Sequence, residues 1–239
     1  MIESSNTPTG SKTGTELNDG RLISVGAGAL NLNAILHVPP HARGLVILAS
    51  GIEDSTSTPH QDALALSRAF FNKHLASLLV DLFIIEERQM DQQTAFFRHN
   101  ADIMQQRLIG IADWLLQNQE TANFSIGCFG SGTCGAAALI AAAQRPDAIR
   151  AVAAAAGRLD LAQQYLPRIT VPTLLLAPEK DSAAVQANQQ ALEHLEGLTT
   201  NKQFEQVPGV SSLFETSNAL TEVARVTSEW FARWLIPIV

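Results

Sequence analysis

Two kinds of apolar pattern alternate along this chain. Residues 21–25 and 30–38 alternate apolar and polar positions on either side of a glycine-containing turn, which is typical of an antiparallel edge hairpin. Continuous apolar runs then indicate strands buried on both faces, at residues 44–50, 76–83, 124–129, 151–155 and 173–177. A 3.6-residue period predicts helices between or after them, one over residues 100–117 with Asn100 as N-cap and one ending near Trp234.

This alternation predicts the α/β class. We expect a mostly parallel sheet with an N-terminal antiparallel hairpin, covered by helices on both faces as a three-layer α/β/α sandwich. The functional groups of such a sheet lie in loops at the carboxyl ends of the strands. Residues 1–20, rich in Ser, Thr, Gly and Asn, suggest a flexible arm. Residues 21–239 are then expected to form a single domain.

Composition and charge argue against several kinds of partner. A net charge of -7 and a pI near 5.3 give no attraction toward nucleic acid or an anionic membrane. No apolar run approaches the roughly 18 residues of a membrane span, and the N-terminus lacks the pattern of a signal peptide. Cys128 and Cys134 are poorly placed for a mutual disulfide and too few for a metal site. We therefore expect a cytoplasmic protein without metal or other cofactor.

Residues 127–143, GCFGSGTCGAAALIAAA, contain the main candidate motif. Gly130, Gly132 and Gly135 spell G-x-G-x-x-G, the fingerprint of dinucleotide binding, but the same strand, turn and helix surround the G-x-S-x-G elbow of α/β-hydrolases. A dinucleotide site requires the first strand-to-helix turn and an acidic residue about 20 positions later. Here at least four predicted strands come before Gly130, and Asp160 comes too late. Dinucleotide binding is the less favoured interpretation.

The hydrolase interpretation accounts for more of the chain. Residues 21–235 resemble the dienelactone hydrolase-like branch of the α/β-hydrolase fold, a compact form without a large lid. The segments that carry the resemblance are LVILASG (45–51), IGCFGSGTCGAAALIAAA (126–143), VPTLLLAPEKDS (171–182) and VPGVSSLFE (207–215). They correspond, in that order, to the oxyanion loop, the nucleophile elbow, the acid strand and the histidine loop of that family.

The resemblance implies a substituted catalytic triad. Carried over position by position, the nucleophile falls on Gly132, the acid on Asp181 and the histidine on Ser212. Active relatives carry Ser or Cys at the elbow and P-G-x-x-H-x-F in the last loop. Glycine has no side chain to attack a carbonyl, and serine is not a base near neutral pH, so Asp181 would be a vestigial acid. The usual fifth-position glycine of the elbow is Cys134, a further departure.

An oxyanion hole depends on backbone amides and so survives these substitutions. By resemblance its donors are the amides of Ile52 and Thr133, and together with the helix dipole they would hold the carboxylate or carbonyl oxygen of a small ligand. Glu53, Ser131 and Arg158 complete the expected ligand-binding set. The sequence thus favours a hydrolase-fold protein that binds a ligand or a partner without conventional hydrolysis.

Two other interpretations stay open. The chain could be an active ester or lactone hydrolase that uses unorthodox groups, namely Ser131, Cys134, His60 or Glu53, or it could be an interaction module without an enclosed pocket. The same residues also have plain structural roles. Ser131 and Thr133 suit local turn or cap hydrogen bonds, Cys134 suits packing, Arg158 suits a surface salt bridge and Asp181 suits a helix cap.

Overall fold

The computed structural model describes residues 20–50, 59–195 and 201–236. The first two strands form a hairpin, and strands and helices then alternate as far as the C-terminal helix. The strands are β1 Arg21–Ala27, β2 Leu30–His37, β3 Gly44–Ser50, β4 Leu75–Asp81, β5 Ser125–Ser131, β6 Ile149–Ala155, β7 Thr173–Pro178 and β8 Lys202–Val207. The helices are α1 Pro59–Asn72, α2 Ile85–Thr94, α3 Ala101–Gln117, α4 Gly132–Gln144, α5 Leu159–Ala162, α6 Ser182–His194 and α7 Ser217–Trp234, with a 3₁₀ helix at Gln163–Arg168 after α5.

The eight strands form one sheet in the order β1-β2-β4-β3-β5-β6-β7-β8. Strand β2 pairs antiparallel with β1 and with β4, and every later pairing is parallel. The predicted hairpin and the mostly parallel sheet are therefore confirmed. Because the parallel strands run in one direction, β3 to β7 all end at the same edge of the sheet, and the loops that follow them lie side by side there.

Alternate side chains of each central strand enter two separate cores. Leu45 and Ile47 of β3 belong to the core beneath α3 and α4, whereas Val46 and Leu48 belong to the core beneath α1 and α7. In the second core the rings of Phe70 and Phe231 meet edge to face, with centroids 5.7 Å apart. This arrangement is the predicted three-layer α/β/α sandwich, whose strands read as continuous apolar runs because both faces are buried.

A polar side chain ends one strand earlier than its apolar run predicts. The predicted strand at 76–83 stops at Asp81, because the Asp81 carboxylate accepts a hydrogen bond from the Phe83 amide at 3.0 Å and turns the chain. Helix α2, which the apolar pattern did not reveal, follows almost at once. The predicted cap of α3 is confirmed, since the Asn100 side chain accepts from the Ile103 amide.

A buried carboxylate shapes the loop between α2 and α3. Asp91 is 0 % exposed and accepts hydrogen bonds from the amides of Phe97 and Arg98 at 2.7 and 2.9 Å and from Arg98 Nε at 2.6 Å. Burial raises the pKa of Asp91, but the hydrogen bonds from Arg98 and Phe97 outweigh it and hold the pKa below its ordinary value. One buried side chain thus fixes the middle of this loop.

Within the described residues no helix is both long and apolar enough to cross a membrane. The same residues contain no group of three or more His, Cys, Asp or Glu side chains arranged to hold a metal ion.

A buried polar chain joins the hairpin to α1. His37 on β2 is 6 % exposed, its Nδ1 lies 3.3 Å from Ser67 Oγ on α1, and Ser67 Oγ lies 2.6 Å from Ser77 Oγ on β4. Burial lowers the pKa of His37 from its ordinary value of 6.5, because the interior penalises the charged imidazolium. The folded protein therefore holds this imidazole in its neutral form.

We expect His37 to make the protein less stable in mild acid. As the pH falls below about 6.5, the unfolded chain binds a proton that the folded state resists, so the free energy of unfolding falls until the lowered pKa is reached. Urea unfolding at about pH 7.5 and about pH 5 measures this decrease in the free energy of unfolding. The decrease should be smaller in His37→Gln than in the wild type. His194→Gln, at an exposed histidine, is the matched control and should show the same decrease in the free energy of unfolding as the wild type. Equal pH dependence in all three proteins would contradict this assignment.

Candidate functional site

The turn between β5 and α4 is the centre of the site. Strand β5 ends at Ser131, and Gly132 is already the first residue of α4. Gly132 has a φ of +53°, in the left-handed region that L side chains rarely adopt. Among the described residues, a Cβ added to Gly132 would meet no atom within 4 Å outside its own turn and helix. The chain thus turns sharply between a strand and a helix, as it does at the nucleophile elbow of α/β-hydrolases, and the residue at the turn has no side chain.

The flanking glycines permit close packing of backbone on backbone. A Cβ on Gly130 would lie 2.4 Å from the carbonyl oxygen of Cys134, and one on Gly135 would lie 3.2 Å from the Cα of Gly157. Strand β5 and helix α4 therefore approach too closely at Gly130 for any side chain, and helix α4 packs tightly on the loop after β6 at Gly135. The three glycines of the G-x-G-x-x-G pattern are explained by the turn and by this packing, with no bound phosphate required.

The three residues around the apex differ in position. Ser131 is the N-cap residue of α4, Thr133 is its second residue, and both are half-buried. Cys134 lies inside the helix rather than in the turn, is buried, and has its Sγ 3.7 Å from Met104 Sδ on α3. Cys134 is thus a packed residue, and both cysteines are free thiols. Burial raises the pKa of the other thiol, Cys128, to about 12.

The loop after β6 is tied directly to the elbow. The Arg158 amide donates a hydrogen bond to the Gly132 carbonyl at 3.1 Å, a contact that no sequence pattern signals. The Arg158 side chain forms a two-pronged ion pair with Asp160, with Nε–Oδ1 at 2.9 Å and a second nitrogen–oxygen distance of 2.8 Å. Both partners are at least half exposed. The surface salt bridge is therefore present, and an anionic ligand would have to compete with Asp160 for the guanidinium.

The acid position is occupied by a helix cap. The Asp181 carboxylate accepts a hydrogen bond from the Ala184 amide at 2.9 Å and caps α6, which begins at Ser182. In an active triad such a carboxylate would orient a histidine, and the residue at the position expected for that histidine, Ser212, is exposed.

Backbone bonds hold the acid loop and the loop that contains Ser212 together. The amides of Glu179 and Lys180 donate to the carbonyls of Val207 and Val210, each at 3.0 Å. The Gly209 amide in turn donates to Glu179 Oε2 at 2.6 Å. Sequence reasoning placed both loops at the same edge of the sheet but did not identify Glu179 as the residue that joins them.

The oxyanion loop lies outside the described residues. Ile52 and Glu53, which the sequence assigns to ligand binding, fall in that segment. His60 lies in the first turn of α1, and its side chain is likewise not described.

The chain is similar over nearly its whole length to a solved dienelactone hydrolase. That enzyme, from Anabaena variabilis ATCC 29413, shares 37% sequence identity, and the match covers 91% of this chain and 98% of that one with a TM-score of 0.84. This chain belongs to the dienelactone hydrolase-like family of the α/β-hydrolase fold. XC6422 from Xanthomonas campestris, described as a serine hydrolase without lid, shares the fold at 16% identity, 93% and 98% coverage and a TM-score of 0.67.

Two further comparisons match only part of this chain or only part of the related protein. The family model described as X-Pro dipeptidyl-peptidase (S15 family) matches residues 103–235, slightly more than half of the chain, and this assignment agrees with the α/β-hydrolase fold. Two Mycobacterium tuberculosis proteins, each named "Putative phosphoribosyl transferase", are 34% identical over 211 residues, which is 87% of this chain. The match covers 45% of each of them, so the chain spans about half the length of these curated relatives.

The fold disfavours the dinucleotide interpretation of residues 130–135. The glycine-rich turn follows the fifth strand, and the strand order differs from the 3-2-1-4-5-6 order of the dinucleotide-binding fold. The next strand, β6, leads into Arg158 and its ion-pair partner Asp160, both on the loop side, with no acid at the end of the strand itself.

We expect the two glycines of the elbow to respond differently to a methyl group. Gly132→Ala should lower the free energy of unfolding by about 1–2 kcal/mol, because the strain lies only in its positive φ. Gly130→Ala should cost about 3 kcal/mol or more, because its methyl overlaps the α4 backbone and cannot be relieved by a rotamer. Urea denaturation of both variants measures the difference. Equal losses would contradict the close strand–helix approach.

Proposed function

We propose that this protein is a dienelactone hydrolase-like protein without conventional triad chemistry, which binds the carboxylate or carbonyl oxygen of a small ligand at its elbow. The observation that carries the proposal is Gly132, which stands at positive φ where a nucleophile would project. Without an oxygen or sulfur at that apex, and with serine at the histidine position, covalent acyl transfer has neither its attacking atom nor its base.

Backbone donors supply the affinity. The first four amides of a helix have no partners within that helix, and Thr133 is the second residue of the 13-residue α4. These amides and the helix dipole favour an anion or a partly negative oxygen at the end of α4. In the hydrolase mechanism the same donors stabilise the oxyanion, so a protein can lose the nucleophile and retain the binding site.

An active hydrolase with substitute groups is the competing candidate. Of its four groups, Cys134 is buried against Met104, a contact that engages the side chain structurally. Ser131, His60 and Glu53 remain as the groups whose replacement would test that alternative. Phosphoribosyl transfer is not carried over to this chain, because its match covers 45% of the relatives that bear the name.

Hydrolysis of p-nitrophenyl acetate tests the vacant elbow. We expect the wild type to match the buffer rate and the double variant Gly132→Ser/Ser212→His to gain turnover, because the two changes restore nucleophile and base beside Asp181. Loss of one triad member costs about 10⁴- to 10⁶-fold in such enzymes, so either single variant should stay silent.

A change at Asp181 supplies the matched control. Asp181→Asn added to the double variant should abolish the gain, since the restored histidine then lacks its orienting carboxylate. Wild-type turnover that disappears in Ser131→Ala or Cys134→Ala would overturn the proposal and establish the unorthodox hydrolase.

Binding of acetate tests the amide donors. Thr133→Pro removes one N–H in the first turn of α4, where proline is tolerated, and should weaken acetate binding at least about fivefold. Thr133→Ala retains the amide and is the matched control, expected to bind acetate as the wild type does. Acetate titrations followed by NMR measure both affinities. Equal loss of binding in both variants would assign the site to the hydroxyl instead, because neither proline nor alanine carries one.

A further inference from the structure

A cleft lies at the carboxyl edge of the sheet, beside the elbow. Its volume is about 490 Å³, and it opens between the loop that joins α2 to α3 and the short helices after β6. Helix α3 begins at this edge because the chain leaves β4 there, and α5 begins there because it follows β6. The lining residues are Ala95, Phe96, His99, Asn100, Ala101, Asp102, Leu161 and Gln164.

The loop side of this cleft is held rigidly. The buried Asp91 carboxylate binds two loop amides and Arg98 Nε, as described above. Ala95 has a φ of +52°, a strained conformation for a residue with a Cβ. A loop fixed in this way presents its outer side chains in one arrangement, and pre-organisation of that kind lowers the entropic cost of binding.

The most prominent of those side chains is an exposed aromatic ring. Phe96 is 54 % exposed, and its ring packs edge to face on Phe97 with centroids 5.2 Å apart. Phe97 is buried and packs in turn on Phe83. The Phe96 ring thus has a fixed support on one side and a face free for contact, which suits stacking or edge contact with a flat ring.

The polar groups of the cleft define the rest of the ligand. Asp102, His99 and Gln164 are exposed there, and Leu161 on the opposite wall is half-buried. A carboxylate such as Asp102 accepts a hydrogen bond from a hydroxyl group and repels an anion. The cleft therefore fits an uncharged ring that carries a hydroxyl, and it disfavours the anionic end of the same molecule.

The cleft and the elbow are neighbours through two contacts. Met104, in the first turn of α3, touches Cys134 in the first turn of α4. Leu161 follows Arg158 by three residues, about 5 Å along a helix, and the Arg158 amide binds the Gly132 carbonyl. The Leu161 wall of the cleft thus begins one helical turn from the residue that is hydrogen-bonded to Gly132.

We propose that this cleft holds the hydroxylated aromatic ring of a ligand whose carboxylate lies at the elbow amides. This inference rests on the proposed function, because the elbow supplies the anion site. Phe96 and Leu161 contact the ring, and Asp102 accepts the hydrogen bond of its hydroxyl.

The test compares three acids of matched chain length by NMR or calorimetric titration. We expect 3-(4-hydroxyphenyl)propionate to bind the wild type at least tenfold more tightly than propionate, with 3-phenylpropionate between them. Phe96→Ala should reduce the affinity for both aromatic acids at least fivefold and leave propionate unchanged. Asp102→Asn should weaken the hydroxylated acid alone.

The matched control is Met90→Ala, which removes another exposed apolar side chain from α2 outside the cleft. It should leave all three affinities unchanged. Propionate binding without any advantage for the aromatic acids, or equal effects of Met90→Ala and Phe96→Ala, would overturn the cleft proposal and leave the elbow site standing. Failure of propionate itself to bind would overturn the proposed function. Aromatic acids that bind without displacing propionate would overturn the link between the two sites.

Discussion

The close approach of helix α4 to strands β5 and β6 is the constraint on which the site depends. Gly130 brings the backbones of β5 and α4 so close that no side chain fits between them, and Gly135 lets α4 pack tightly on the loop at Gly157. That contact fixes where the first turn of α4 begins and where its amides point. The Arg158–Gly132 hydrogen bond then fastens the neighbouring loop to the same turn. Elbow, amide donors and the wall of the adjacent cleft are thus placed by one packing arrangement, whatever side chain stands at position 132.

This arrangement separates binding from catalysis in physical terms. Backbone amides and a helix dipole persist through substitution, whereas a nucleophile and a base are individual side chains that a single codon change removes. Under the proposed function, Asp181 retains its position for a structural reason, since its carboxylate caps α6. The bonds from the loop after β7 to Val207 and Val210, and from Gly209 to Glu179, hold the loops after β7 and β8 side by side.

Family membership and function are therefore distinct conclusions here. The similarity to the Anabaena dienelactone hydrolase covers nearly both chains and establishes the family. The match to the mycobacterial proteins covers 45% of their length, so the activity in their names is not assigned to this chain. Under our proposals, the ligand is recognised by an anion site at the end of α4 and by a ring-binding cleft whose loop is fixed by Asp91. The two regions meet at the carboxyl edge of the sheet, where this fold places its ligands.

The sequence by itself determined the five strands β3 to β7, because residues buried on both faces must be apolar without interruption, but it did not predict β8, whose residues are mostly half-buried. It also determined the hairpin, the cap of α3 and the identity of the groups at positions 132, 181 and 212, and it left Asp181 as either a helix cap or a vestigial acid. Only the tertiary structure decided what depends on distant residues. Examples are the end of β4 at Asp81, the burial of Cys134 against Met104, the Asp91-bound loop with its exposed Phe96, and the hydrogen bond from Arg158 to Gly132. Those contacts join residues far apart in the chain, and local periodicity carries no information about them.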